Sequence, residues 1–221
     1  MYEIYETKLH LTEDNDRNAE QNKNYLKEKG IFMVNLMGSP GAGKTSLLKL
    51  TIDALKNKYR IGVMEADVDS DIDAAAMHAL GVDVIQVHSS GLCHMDADMT
   101  RQGLEKMNLE DLDVVFLENI GNLVCPAEFD VGAAQKVMIL SVPEGHDKPL
   151  KYPLMFRVSD CLIINKIDTA EIFDFDIDTC RRYAEELHPG ITIIPLSAKT
   201  KEGSEAWIRW LEEKIEEWRK A

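Results

Sequence analysis

Ile31-Phe32-Met33-Val34-Asn35-Leu36-Met37-Gly38-Ser39-Pro40-Gly41-Ala42-Gly43-Lys44-Thr45 sets the reading of the whole chain. An apolar, strand-length run enters a sequence that fits GxxxxGK[ST], and a helix-like segment, Lys44–Asn57, follows. Strand, glycine-rich turn and helix are the order that phosphate binding requires. Glycine lets the backbone bend so that successive N–H groups face inward. Those groups and the helix N-terminus bind phosphate oxygens. Gly38, Ser39, Gly41, Ala42, Gly43, Lys44, Thr45 and Ser46 are therefore the expected phosphate cradle. Lys44 is expected to bridge β- and γ-phosphates, and the Thr45 hydroxyl to ligate Mg²⁺.

The pattern continues on either side. Short Ile- and Val-rich runs recur at Arg60–Ala66, Asp83–Val87, Val114–Glu118, Val137–Val142, Cys161–Asn165 and Ile191–Leu196. Few alternate cleanly with polar residues, which is how strands covered on both faces read. Helix-like segments separate most of them: Asp71–Leu80, Asp96–Met107, Asp176–Leu187 and Ser204–Arg219. The expectation is an α/β, three-layer P-loop NTPase fold, with a mainly parallel, doubly wound sheet of about seven strands flanked by helices. One domain is expected over 31–221. Residues 1–30 read as a polar, helical N-terminal extension that Gly30 stops, an arm on the core or on a partner.

Composition narrows the functions. The 221 residues are 45% hydrophobic, enough to build a core without staples. A net charge of −14 repels nucleic-acid backbones and anionic lipid, so neither is an expected partner. No apolar run reaches the roughly 18 residues of a membrane span, and Met1–Glu6 does not read as a signal peptide. A cytoplasmic protein is expected. The cysteines, Cys93, Cys125, Cys161 and Cys180, include no CxxC pair, so a zinc ribbon or thioredoxin-type centre is excluded.

Asn165-Lys166-Ile167-Asp168 closes an apolar run and fits NKxD. Guanine presents N1–H and N2–H₂ side by side; a carboxylate such as Asp168 accepts both, and adenine has no matching pair. Asn165 is expected to support the base, and the Lys166 stem to pack along it. Ser197-Ala198-Lys199 follows another strand, where a backbone N–H can meet the guanine O6. The expected ligands are GTP and GDP.

Two acidic segments are placed to sense the γ-phosphate and Mg²⁺. In Glu65–Asp73, Asp67 stands at a strand end and is the first candidate for the metal, with Asp73 second; Asp71 also reads as a helix N-cap. Val114–Asn122 resembles hhhhDxxG with Glu118 in place of Asp. Glu118 is expected on Mg²⁺ directly or through water, and the Gly121 N–H on the γ-phosphate. Lys44, Asp67, Glu118 and Gly121 are the candidate catalytic groups. Signalling-type GTPases place Gln after that glycine, whereas this chain has Asn122, so slow intrinsic hydrolysis is expected.

Cys93-His94 follows a strand-like segment, and Cys125-Pro126 lies just beyond the Glu118–Gly121 segment. Thiolate and imidazole are ligands that Zn²⁺ and Ni²⁺ favour. A fourth ligand is left to water, Asp96 or a second subunit. Cys161 and Cys180 read as core thiols.

Together GSPGAGKT (38–45), Glu65–Ala76, SGLCH (90–94), ENIGNLVCP (118–126), EGHDKPLKYP (144–153) and NKID (165–168) resemble the HypB family, hydrogenase nickel-incorporation GTPases of the SIMIBI class. The likeness spans nearly everything after Gly30. It implies a nucleotide-gated homodimer, formed in the GTP state, that delivers Ni²⁺ to the large subunit of a [NiFe] hydrogenase beside a companion nickel-maturation protein. It also implies that Cys93, His94 and Cys125 bind nickel or Zn²⁺ at the dimer interface, and that Lys148 reaches the neighbour's nucleotide. The related urease accessory GTPase carries Cys-Pro-His, whereas Cys125-Pro126 here precedes Ala127. The N-terminal Cys-rich or His-rich nickel tracts of some members are not matched: residues 1–30 hold no Cys and only His10. The alternatives are a regulatory GTPase with structural cysteines, a urease-type accessory protein, and an ATP-dependent synthetase or kinase, which NKxD and SAK oppose.

Overall fold

The computed structural model describes residues 11–67, 72–89 and 91–220, with backbone alone at 11, 12, 72 and 73. Its strands are β1 (Phe32–Gly38), β2 (Ile61–Asp67), β3 (Asp83–His88), β4 (Val114–Glu118), β5 (Gln135–Ser141), β6 (Cys161–Asn165) and β7 (Thr192–Pro195). They form one seven-stranded sheet in the order β3-β2-β4-β1-β5-β6-β7. Every pairing is parallel, so the sheet goes beyond the mainly parallel one expected. The helices are α1 (Leu11–Glu28), α2 (Lys44–Leu55), α3 (Ile72–His78), α4 (Ala97–Leu104), α5 (Cys125–Glu128), α6 (Lys148–Lys151), α7 (Pro153–Val158), α8 (Ile177–Leu187) and α9 (Ser204–Lys220).

The sheet is apolar on both faces because both are covered. On one face Val34, Leu36 and Phe116 pack beneath Leu48 and Ile52 of α2 and Trp207 and Leu211 of α9. Trp207 is fully buried, and its indole N–H donates to the Thr51 hydroxyl at 2.8 Å. The other face has two patches. Met33, Val115 and Leu117 pack against Leu26 of α1 and Leu104 of α4. Met138, Leu140 and Leu162 pack against Phe156 of α7 and Ala184 of α8.

The chain leaves β1 towards β2 on one side, then passes from β4 to β5 on the other. The C-terminal ends of β1 and β4 therefore flank the point where strand order reverses, the place where open α/β sheets bind ligands. Among the described residues no helix is long and apolar enough to cross a membrane.

Candidate functional site

The glycine-rich turn leaves β1 at Gly38 and enters α2 at Lys44. A side chain at Gly38 would put Cβ 2.5 Å from the Ile139 carbonyl oxygen. Gly43 has φ 100°, and a Cβ there would run into the Asn165 amide. Only glycine lets the turn pass both neighbours. The Lys44 ammonium folds back, 3.4 Å from the Ser39 carbonyl oxygen.

A cavity of about 620 Å³ opens over this turn, within the range of small-ligand pockets. Gly41, Gly43, Lys44, Thr45 and Ser46 form its floor. Its walls include Asp67 at the end of β2, Glu118 to Gly121 after β4, and Lys166. Glu118 is buried, and its carboxylate accepts from the Thr45 hydroxyl at 2.9 Å. Gly121 lies flat against Pro40; a Cβ would sit 2.8 Å from that ring. The expected metal-side groups Thr45, Asp67 and Glu118 thus share one cavity and present hard oxygen donors of the kind Mg²⁺ selects. The Asp73 side chain, like Asp69 and Asp71, lies outside the described residues.

The NKxD and SAK segments are tied to the same turn. The Asn165 amide donates to the Ala42 carbonyl at 2.9 Å and its oxygen accepts from the N–H groups of Lys166 at 2.8 Å and Ala198 at 3.0 Å. The Lys166 ammonium donates to the Gly41 carbonyl at 2.6 Å, so its tip is anchored on the phosphate turn. The Ser197 hydroxyl accepts from the Thr200 N–H at 3.1 Å, fixing the loop that carries Ala198 and Lys199. Asp168 is exposed in the short turn after β6, its carboxylate open to a ligand or to water.

Cys93, His94 and Cys125 converge, their donor atoms all within 4.8 Å of one another. The two sulfurs are 2.8 Å apart, and the Cys93 sulfur is 3.8 Å from His94 Nδ1. Two thiols and one imidazole suit Ni²⁺ or Zn²⁺ and leave a coordination position open. The His94 ring stacks on Phe129 at 4.0 Å. Burial there pushes its pKa down, partly offset by Asp96 and Glu128, which favours the neutral, ligating imidazole. The Cys125 thiol is pushed up, first by its hydrogen bond with Cys93 and then by burial. Cys161 and Cys180 are buried core thiols; burial, opposed by Arg181 and helped by Asp176, pushes Cys180 up to about 12.

Asp96 caps α4, its Oδ1 accepting from the Met99 N–H at 2.8 Å, and it is not among the three converging donors. Lys148 opens α6, its ammonium 5.2 Å from the centre of the Tyr152 ring, and is not among the residues lining the cavity of its own chain. Asn122 holds the Cys93 carbonyl with its amide N–H at 3.3 Å and the Val124 N–H with its oxygen at 2.8 Å, so its side chain serves the cysteine side. Its backbone N–H donates to the Gly38 carbonyl at 3.0 Å. Asn119 makes a parallel link. Its N–H donates to the Leu36 carbonyl at 2.9 Å, and its side-chain oxygen accepts from the Met95 N–H at 3.2 Å.

Within the Glu65–Asp73 and Val114–Asn122 segments the sequence does not single out Glu65 or Asn119, and Gln86 lies outside both. Glu65 is buried in β2, in register beside Glu118, and lines the cavity with Gln86. The available signal was an acidic residue inside the apolar run IGVMEAD.

Residues 32–195 match the CobW/HypB/UreG nucleotide-binding domain. The hydrogenase maturation factor HypB of Azotobacter vinelandii is 44% identical over 198 residues, 90% of this chain; the chain spans 65% of that relative's length. The crystal structure of HypB from Helicobacter pylori in complex with nickel superposes with a TM-score of 0.88 at 35% identity, covering 92% of this chain and 96% of that one. The hydrogenase maturation factor HypB of Archaeoglobus fulgidus gives 0.86 at 37% identity, with 92% and 99% covered.

Proposed function

This chain belongs to the CobW/HypB/UreG family, on its HypB branch, and we propose that it is a GTP-hydrolysing nickel metallochaperone of [NiFe] hydrogenase maturation. The observation that carries the reading is the placing of the cysteines. Cys125 rides on the segment that starts with Glu118 at the phosphate turn, and Cys93-His94 is held to that segment by Asn119 and Asn122.

Gly38–Ser46 cradles the triphosphate, and the Lys44 ammonium leaves the Ser39 carbonyl for the β- and γ-oxygens. Asp168 accepts from guanine N1–H and N2–H₂, while Asn165 and the Ala198 N–H hold the base loop to the phosphate turn. Thr45, Asp67 and Glu118 would hold Mg²⁺, which when bound neutralises phosphate charge. The Gly121 N–H meets the γ-phosphate and orders residues 118–125. That order passes through Asn119 to Met95 and through Asn122 to Cys93, closing both thiols and His94 on the nickel cargo. Loss of the γ-phosphate frees the segment and weakens the cargo site. By linkage, bound nickel favours the GTP state to the same degree.

A homodimer fits the outer surface. Leu92 and Val124 are exposed beside the two thiols, and Leu150 and Leu154 are exposed beside Lys148. A second copy would cover these side chains, bring Lys148 to its neighbour's nucleotide, and complete nickel coordination. The hydrogenase large subunit and a companion nickel-maturation protein are the acceptor and donor that such a cycle needs.

The test is Cys93→Ser and Cys125→Ser, with nickel and zinc stoichiometry measured beside GDP affinity. Each substitution is expected to remove the cargo site and leave GDP affinity within about twofold. Unchanged metal stoichiometry would overturn the proposal and favour a regulatory GTPase with structural cysteines.

A further inference from the structure

We propose that α1 is a clamp for the Cys93–His94–Cys125 site, and that Asn15 and Asn22 are its positioning residues. The proposal rests on the cargo-site reading given above.

Asn15 and Asn22 are seven residues apart, two turns along one face of α1. Both are buried, at 8% and 1% exposure. A buried side-chain amide is costly unless it is hydrogen-bonded, so what it bonds to is informative. Each asparagine bonds to both segments that bring in the metal donors. Asn15 accepts from the Ala97 N–H at 2.9 Å and donates to the Asp130 carbonyl at 2.9 Å. Asn22 donates to the Ala97 carbonyl at 2.7 Å and to the Val131 carbonyl at 3.2 Å. Ala97 is three residues beyond His94, and Asp130 is five beyond Cys125. Ala97 is also the first residue of α4, so its N–H has no intrahelical partner and Asn15 supplies one.

The second segment is shaped for this approach. Gly132 lies against α1 with φ 83°, and a Cβ there would press on the Ala19 carbonyl and come within 2.7 Å of the Asn22 Cβ. Asp130 is held in turn by Lys136, 2.5 Å from its carboxylate. The two donor-bearing segments therefore meet on α1 as well as at the thiols. Groups that orient metal ligands from behind typically change metal affinity by about 10- to 100-fold.

The experiment uses the full chain with Asn22→Ala, Asn22→Asp and Asn15→Ala. Lys27→Ala is the control: Lys27 sits on the same helix but holds Trp218 of α9. Two quantities are read. One is Co²⁺ affinity and its thiolate-to-metal absorption. The other, which needs no metal, is the equilibrium between the Cys93–Cys125 dithiol and its disulfide in a glutathione buffer. There the two thiols give up two electrons and two protons, and glutathione disulfide becomes two glutathione thiols. The buried Cys161 and Cys180 stay out of this exchange.

The Asn22 variants are expected to weaken Co²⁺ binding by about tenfold and lower the disulfide equilibrium constant by a similar factor, with GDP affinity unchanged. Asn22→Asp turns an acceptor on two carbonyls but keeps the oxygen that accepts from the Arg101 guanidinium at 3.2 Å, so its loss isolates the two carbonyl bonds from the Arg101 contact. Lys27→Ala shifts neither reading. Variants that match wild type in both readings, or a Lys27→Ala that loses as much as they do, would overturn the clamp. If wild type binds no Co²⁺ but the disulfide equilibrium still falls in the Asn22 variants, the clamp stands and the cargo reading fails.

Discussion

Asn122→Ala separates coupling from binding. The substitution keeps the backbone N–H that donates to the Gly38 carbonyl, so the phosphate turn keeps that support. It removes the two side-chain bonds, to the Cys93 carbonyl at 3.3 Å and from the Val124 N–H at 2.8 Å. A typical hydrogen bond contributes about 0.5–1.5 kcal/mol net, and these two are exposed, so their sum is about 1–2 kcal/mol. That corresponds to roughly a 5- to 30-fold loss in the factor by which nucleotide state changes nickel affinity. The assay is isothermal titration of Ni²⁺ into protein loaded with GDP or with a non-hydrolysable GTP analogue, in wild type and variant. The ratio of the two Kd values should fall by that factor, or to unity if wild type starts below it, while GDP affinity changes less than about twofold. A variant that keeps the wild-type ratio would show that the Asn122 side chain carries no coupling.

Three further outcomes are expected. Asp168→Asn should lower guanine-nucleotide affinity at least about 100-fold, because the amide NH₂ replaces an acceptor oxygen and faces a guanine donor, and xanthine nucleotides should recover part of the loss by competition assay. Leu150→Asp should leave nucleotide affinity intact but hold the protein monomeric with a GTP analogue by light scattering, since Leu150 is 56% exposed at the proposed interface. Asp113→Asn should lower Tm at pH 7 by about 2–4 °C. The Arg60 guanidinium, reinforced by Arg219, holds Asp113 below the usual carboxylate range. Its folded pKa lies below its unfolded value near 3.9, so its stabilisation is present above about pH 4 and fades below it. Wild-type and variant melting curves should therefore converge as the pH drops below about 4, and a gap that stays constant would exclude the ion pair as the cause.

The fold was legible because its central strands are buried on both faces. Val114–Glu118 and Cys161–Asn165 were delimited to the residue, since a continuous apolar run has sharp polar ends. The phosphate turn and NKxD were legible because each pairs a fixed spacing with a strand end. The helix over Leu11–Glu28 and its end at Gly30 were legible too, but the way it docks on the core was not. Its contact with the core is carried by Ala19, Leu26 and two asparagines, and buried asparagine leaves no hydrophobic period to read. Glu65 was hidden for a related reason: its role comes from register with Glu118 across two strands far apart in sequence.

Mass and metal content measured on the same fractions come closest to the core of this proposal. Multi-angle light scattering coupled to elemental analysis would be run with GDP and with a non-hydrolysable GTP analogue, each with and without Ni²⁺. The expected result is a dimer that gains nickel with the GTP analogue, a monomer with GDP, and loss of the nickel in Cys125→Ser. A protein whose mass and metal content are the same with either nucleotide would contradict nucleotide-gated nickel transfer.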